Sequence, residues 1–313
     1  MLGKTAGGLF WMFRYLERSE NNARLLDAGF RIALTRSASA SEEWKSVLKT
    51  AGSVTDYEAL HGTYESKKVI DFLLRDLANP SSVISIMKAA RDNARLVRTA
   101  LTREVWEATN EGWITLKELL DQPVPEKDLP DALSIIRKQN ALVRGATHGT
   151  MLRNDGFHFT QLGTFMERAD NTARILDVKY YLLLPSIAKI GSSLDNVQWE
   201  TILRSVSAQR AYRWLNGDQI SPANIAEFLI LHRQMPRSLA YCAQQVDESL
   251  GFLQEEYGVE HESCRLANMV HQKLKTGQIG EIFEEGLHEY IEGFLFNNSS
   301  LGAQIERDYR FQG

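Results

Sequence analysis

Two stretches of this chain carry the same charged residues in the same order. Residues 11–34 include Arg14, Glu17, Arg18, Asn21 and Arg24; residues 161–184 include Glu167, Arg168, Asn171 and Arg174. Glu17 and Glu167, Arg18 and Arg168, Asn21 and Asn171, and Arg24 and Arg174 are all separated by 150 positions, as are Ala23 and Ala173, Leu26 and Leu176, and Asp27 and Asp177. Arginine presents a planar fork of donors that captures a carboxylate or phosphate in bidentate fashion. Glutamate can act as a general base where burial raises its pKa. Glu17 and Glu167 are therefore the candidate catalytic groups. Arg14, Arg18, Asn21, Arg24, Arg168, Asn171 and Arg174 are the candidates for binding an anionic group.

Both stretches have helical periodicity. Met12, Leu16, Ala23, Leu26 and Phe30 fall on one side of the first, and Met166, Ala173, Leu176 and Tyr180 on the same side of the second. The polar residues share the opposite side, which predicts two amphipathic helices. Glu20 and Arg24, and Asp170 and Arg174, are spaced i,i+4; Arg24 and Asp27, and Arg174 and Asp177, are spaced i,i+3. Adjacent Glu17 and Arg18 project about 100° apart on a helix, so each needs a partner from outside its own turn. A solvated ladder has no need of the same residues in the same order twice. The repeat predicts that the two helices face each other across a pseudo-twofold axis. Glu17 then meets an arginine of the second copy and Glu167 one of the first.

A second basic feature, Arg91, Arg95 and Arg98, lies at i, i+4 and i+7 in a segment running from Ser82 to Leu101. Its counterpart near residues 241–253 lacks the arginines, which places a single anion site on the first half. Other chemistry finds little support. None of the seven histidines forms an H-x-x-x-H pair, so no metal site and no cofactor are expected. Cys242 and Cys264 have neither zinc-site spacing nor a disulfide framework, which fits a reducing compartment. Glu281, Glu284, Glu285, Glu289 and Glu292 read as a solvated acidic face. There is no glycine-rich phosphate loop. The net charge of −4 argues against nucleic-acid binding through bulk charge. No apolar run approaches a membrane span or a secretory signal, so a cytoplasmic, membrane-free location is expected.

The remaining elements must position these groups. With 43% apolar residues in 313, a sizeable core is available. The pattern reads as all-α, with roughly twelve helices in two tandem, pseudo-twofold-related repeats forming a helical bundle. Residues 1–122 make the first repeat, 123–155 the connecting loop and helix, and 156–313 the second, together expected to form one integrated globule. Trp44 and Leu48 match Trp199 and Leu203, and Pro80-Ser81-Ser82 matches Pro236-Arg237-Ser238, with the offset drifting from 150 to 156. Expected helices include one starting at a Ser41 cap, one from residue 64 to 77 and one from Ser82 through about Leu101, with a continuation to Asn110. Further helices are expected over 129–153, 236–257, 260–274 and 279–296, with a break at 36–40 and the second motif helix ending at Pro185.

The segments LFWMFRYLERSENNARLLD, NPSSVISIMKAARDNARLVR, EVWEATN and MPRSL resemble the bacterial alpha-E domain family over essentially the whole chain. One departure is Ser19, where an alanine is usual. The resemblance maps the family's helix motif onto Arg91, Asn93, Arg95 and Arg98. It implies an all-α fold without an established activity. It also implies partners: a circularly permuted ATP-grasp ligase and a transglutaminase-like protein, in a system that makes or processes a peptide or amide-linked product. The expected function is a helical binding protein of such a system, whose Glu/Arg centre binds a peptide or small anion. The alternative is an enzyme of the same pathway with a motif glutamate as base and arginines as substrate clamp.

Overall fold

The computed structural model describes residues 1–35, 40–183 and 193–312, and among them there are helices and no strand. In chain order these are α1 (Gly3–Thr35), α2 (Ala40–Thr50), α3 (Val54–Glu58), α4 (Ser66–Leu74) and α5 (Val83–Leu96). Then come α6 (Arg103–Leu119), α7 (Leu129–Thr150), α8 (Asp155–Leu183), α9 (Ser193–Ser205) and α10 (Gln209–Asn216). The last five are α11 (Pro222–Ile230), α12 (Leu239–Tyr257), α13 (Glu262–Thr276), α14 (Ile279–Glu285) and α15 (Leu287–Asp308). The protein is all-α.

The two long motif helices, α1 and α8, form the centre. They run side by side in the same direction: the Met1 ammonium lies 3.2 Å from Asp155, Phe10 abuts Gly163, and Glu17 pairs with Arg168. α5, α7 and α2 pack on α1; α12 and α15 pack on α8. One hydrophobic cluster runs through both halves, from Ala6 to Phe311, and includes Trp44, Leu48, Trp199 and Leu203. Close approach of α1 and α8 depends on Gly163. A Cβ there would stand 2.2 Å from the Phe10 carbonyl oxygen, a backbone atom with nowhere to go.

Several helix ends follow from local chemistry. Ser82, Thr102, Ser221 and Ser238 each accept a backbone N–H of the first turn of α5, α6, α11 and α12. Pro222 opens α11 at the position where its missing N–H costs nothing. The expected long helix through Leu101 to Asn110 is interrupted. α5 ends at Leu96, a short 3₁₀ turn covers Arg98–Ala100, and the Thr102 cap restarts the chain as α6. The expected helix over 279–296 is likewise two: Gly286, at φ 103°, separates α14 from α15, which continues to Asp308. α2 starts at Ala40, so Ser41 lies inside it rather than capping it. α3 was not expected, and α4 is confined to Ser66–Leu74. Most of the expected break at 36–40, and the end at Pro185, lie outside the described residues.

Replacing Gly163 with alanine should lower stability by about 3 kcal/mol, since overpacking against backbone cannot relax through a rotamer. Urea denaturation checks this; an unchanged midpoint would show that α1 and α8 do not depend on the contact.

Candidate functional site

The polar residues of α1 and α8 meet in the interior. Glu17 is 3% exposed, Glu20 1% and Glu167 4%. Both sides of α1 are therefore covered, the apolar side by the core and the polar side by α8 and its neighbours. This is the burial that the repeat predicts: a helix at the centre of a bundle buries its polar stripe, provided that every charge finds a partner.

The partners are crossed between the two helices. Arg168 Nε and Nη2 donate to Glu17 Oε1 and Oε2, each at 2.9 Å. Arg18 Nε and Nη2 donate to Glu167 Oε1 and Oε2 at 2.5 and 2.9 Å. These are reciprocal bidentate pairs, with the glutamate of each helix held by the arginine of the other. Arg14 Nε adds a bond of 2.9 Å to Glu167 Oε2 and stacks over Trp11. Asp27 and Asp177 do not close the expected i,i+3 pairs; Asp27 meets Arg31 and Arg137, and Asp177 meets His288 at 2.5 Å.

Two further arginines enter from outside the motif helices. Arg237, in the loop before α12, donates to Glu17 Oε1 and Glu20 Oε1, both at 2.9 Å, and to Asn21 Oδ1 at 3.4 Å. Arg144 on α7 donates to Glu20 Oε2 at 2.9 Å and lies 3.5 Å from Glu17 Oε2. Arg24 pairs with Glu20 at 2.6 Å and Arg174 with Asp170 at 2.6 Å, the i,i+4 contacts within each helix. Sequence spacing exposed neither Arg237 nor Arg144 as part of this centre. Arg237 sits in a segment matched only by position, and nothing in the pattern of α7 marks Arg144.

The electrostatics follow. Burial alone would raise the Glu17 carboxyl, but Arg168, Arg237 and Arg144 outweigh it and hold the group well below its ordinary 4.5. Glu167 is likewise lowered, with Arg14 and Arg18 outweighing burial. Arg237 is pushed down by burial and by neighbouring arginines, to about 10, and stays charged at neutral pH. Burial pushes the adjacent Cys242 thiol up to about 12, which leaves it an inert thiol rather than a nucleophile.

The Arg91 stripe stands apart. Arg91 donates to Asn110 on α6 at 2.9 Å, Arg98 lies 5.3 Å from the Trp106 ring centroid, and Arg95 is exposed. Asn93 is half-buried on the same helix. Among the described residues, none of the three arginines bonds either motif glutamate, so the placement of an anion site on that stripe gains no geometry. Glu281, Glu284, Glu285, Glu289 and Glu292 are all exposed. Among the described residues, no group of three His, Cys, Asp or Glu side chains is arranged to hold a metal ion, and no helix is long and apolar enough to cross a membrane.

The family described as a predicted alpha-helical domain with a conserved ER motif, Alpha-E, matches residues 1–309. The chain belongs to the Alpha-E family. The Glu-Arg pairs of its description have a physical counterpart here in Glu17-Arg18 and Glu167-Arg168, each group bonded across to the other helix. The chain is also similar to uncharacterized protein Rv2567 of Mycobacterium tuberculosis and uncharacterized protein Mb2597 of Mycobacterium bovis. Each is 22% identical over 311 residues, covering 92% of this chain and 34% of the relative. The chain thus spans about a third of the length of the curated relatives it matches. No solved structure matches.

Two outcomes are expected of this Alpha-E centre. Glu17→Ala strands buried arginines and should cost about 3–5 kcal/mol of stability in urea denaturation; a loss under about 1 kcal/mol would mean that the charges are not effectively buried. The second concerns acid. Because the folded-state pKa of Glu17 and Glu167 is depressed, their contribution is present above 4.5 and is lost as pH falls below it. The urea midpoint should therefore drop on the acid side of the carboxylate range, whereas a decline centred near neutrality would contradict the assignment.

Proposed function

We propose that this chain is a non-catalytic binding protein of an ATP-grasp-dependent peptide or amide ligation system. In this reading it works in the cytoplasm beside a circularly permuted ATP-grasp ligase and a transglutaminase-like protein, and its Glu/Arg centre binds a carboxylate or phosphate. The observation that carries binding over catalysis is the state of the two motif glutamates. A general base works best with a pKa near the operating pH. Glu17 and Glu167 have both oxygens occupied by guanidiniums and are pushed away from neutrality. This supports binding over the enzyme alternative.

Seven arginines (Arg14, Arg18, Arg24, Arg144, Arg168, Arg174, Arg237) surround four carboxylates (Glu17, Glu20, Glu167, Asp170), leaving three positive charges uncompensated within the network. That excess supports an anionic ligand. The partners rest on the family resemblance, and the cytoplasmic location is supported by the free, buried Cys242 and Cys264. The two halves descend, in this reading, from one duplicated unit. Support comes from the crossed pairs of α1 and α8 and from the matched caps Ser82 and Ser238.

Co-purification with a circularly permuted ATP-grasp ligase of the same genome tests the proposal. The ligase should be retained by the full chain, and the chain alone should turn over none of the ligase's substrates between about pH 5 and 9. Absence of a complex, or turnover by the chain alone with a bell-shaped pH profile, would overturn it.

A further inference from the structure

The centre is not symmetric, and the difference between its two ends leaves one end open. Equivalent places are marked by shared contacts. Asn22 Nδ2 donates to the Ser81 carbonyl at 2.7 Å, and Thr172 Oγ1 donates to the Arg237 carbonyl at 2.8 Å. Gly52 and Ser207, which follow α2 and α9, share the left-handed conformation, at φ 67° and 54°. At one end Arg237 extends its guanidinium between Glu17, Glu20 and Asn21, while Ser207 Oγ accepts from Arg24 Nη1 at 2.5 Å. At the other end serine stands in place of Arg237 and glycine in place of Ser207. One side chain is shorter there and the other is absent, and a cavity of about 230 Å³ opens between Arg18, Arg174, Asn171, Ser81 and Gly52.

The hydrogen-bonding capacity left unused by the charged groups of this niche consists of donors. Glu167 and Asp170, its two carboxylates, have both oxygens taken by Arg14, Arg18 and Arg174. Arg18 and Arg174 bond through Nε and Nη2, leaving each Nη1 without a hydrogen bond among the described residues. Asn21 and Asn171 line the niche, are buried, and each has a side-chain amide nitrogen without a partner. Buried donors without partners cost stability, and a site built to hydrogen-bond an absent group is a common reason for them. The local charge is one in excess of neutral: Arg14, Arg18 and Arg174 against Glu167 and Asp170.

Resting on the reading of the Glu/Arg centre as a binding centre, we propose that this niche binds one carboxylate-bearing molecule of about amino-acid size, its carboxylate held by Arg18 and Arg174. One excess charge matches a monoanion. The planar guanidinium fork matches a carboxylate. The volume lies below the roughly 300–1,000 Å³ of sites for drug-sized ligands and well above the ~30 Å³ share of a single water. Nine of the twelve lining residues are polar, so the body of the ligand is polar as well.

The test is calorimetric titration of the full chain with a panel of N-acetyl amino acids, their C-terminal amides and inorganic phosphate. At least one free acid should bind at one per chain, with its amide at least tenfold weaker. Ser81→Arg, which restores the arginine of the other end, and Gly52→Ser, which gives Arg174 Nη1 the hydroxyl that Arg24 has, should each weaken binding at least tenfold. A Cβ at Gly52 would sit 3.7 Å from Arg174 Nη1, an ordinary contact, and although φ 67° strains a serine, Ser207 holds the same left-handed conformation at φ 54°, so the second variant covers the case in which the first does not fold. The proposal is overturned if no free acid binds, if amides bind as well as acids, if phosphate alone binds, or if folded variants bind like the parent. Ligase retention in the co-purification, unaffected by these results, would separate loss of the niche from loss of the binding-partner reading.

Discussion

Charge buried at the interface of α1 and α8 sets the terms for the rest of the molecule. Removing a carboxylate or guanidinium from water costs several kcal/mol unless it is fully paired. Four carboxylates lie at this interface, and each must be met by an arginine at a fixed distance. The crossed Glu17–Arg168 and Glu167–Arg18 pairs hold only when the two helices run parallel at one register. Gly163 permits the approach, and a shift by one residue would rotate every partner about 100° away. The outer helices then have two jobs: they cover apolar surface, and they deliver the missing cations. α7 brings Arg144, and the turn into α12 brings Arg237.

The same pairing decides the chemistry open to the centre. A glutamate enclosed by guanidiniums is a counter-ion that carries no proton at neutral pH and is a weak base, and a buried thiol with its pKa raised is unreactive. This supports the proposed role in recognition. The arginine excess favours anions, and it is unevenly satisfied: at one end Arg237 and Ser207 engage the motif residues, while at the other Ser81 and Gly52 leave donors unused.

Much of the centre was legible in the sequence because two stretches carry the same residues. Identical residues at a constant offset, with Glu and Arg adjacent and unable to pair within a helix, pointed to contacts between α1 and α8. The all-α class followed from periodicity and caps such as Ser82 and Ser221. Other features could not be read. Amphipathicity alone leaves burial open, because the pattern cannot tell a solvated polar face from one covered by other charged elements; the repeat, not the periodicity, pointed inward. Arg144 and Arg237 reach the centre only through tertiary packing. The Arg91 stripe has favourable spacing, yet the topology turns it toward α6. Gly286 and Thr102 divide helices whose apolar periodicity runs on past the break, since a single backbone conformation or cap outweighs a continuing pattern.

The most direct measurement is a double-mutant cycle on Glu17 and Arg168, using Glu17→Gln, Arg168→Met and the pair, each followed by urea denaturation. If the crossed pairs hold α1 and α8 in register, the two changes should couple by about 1–3 kcal/mol, with the double variant more stable than additivity allows. Additivity within about 0.5 kcal/mol would mean that the two groups are neighbours without interdependence, and the centre would no longer account for the fold.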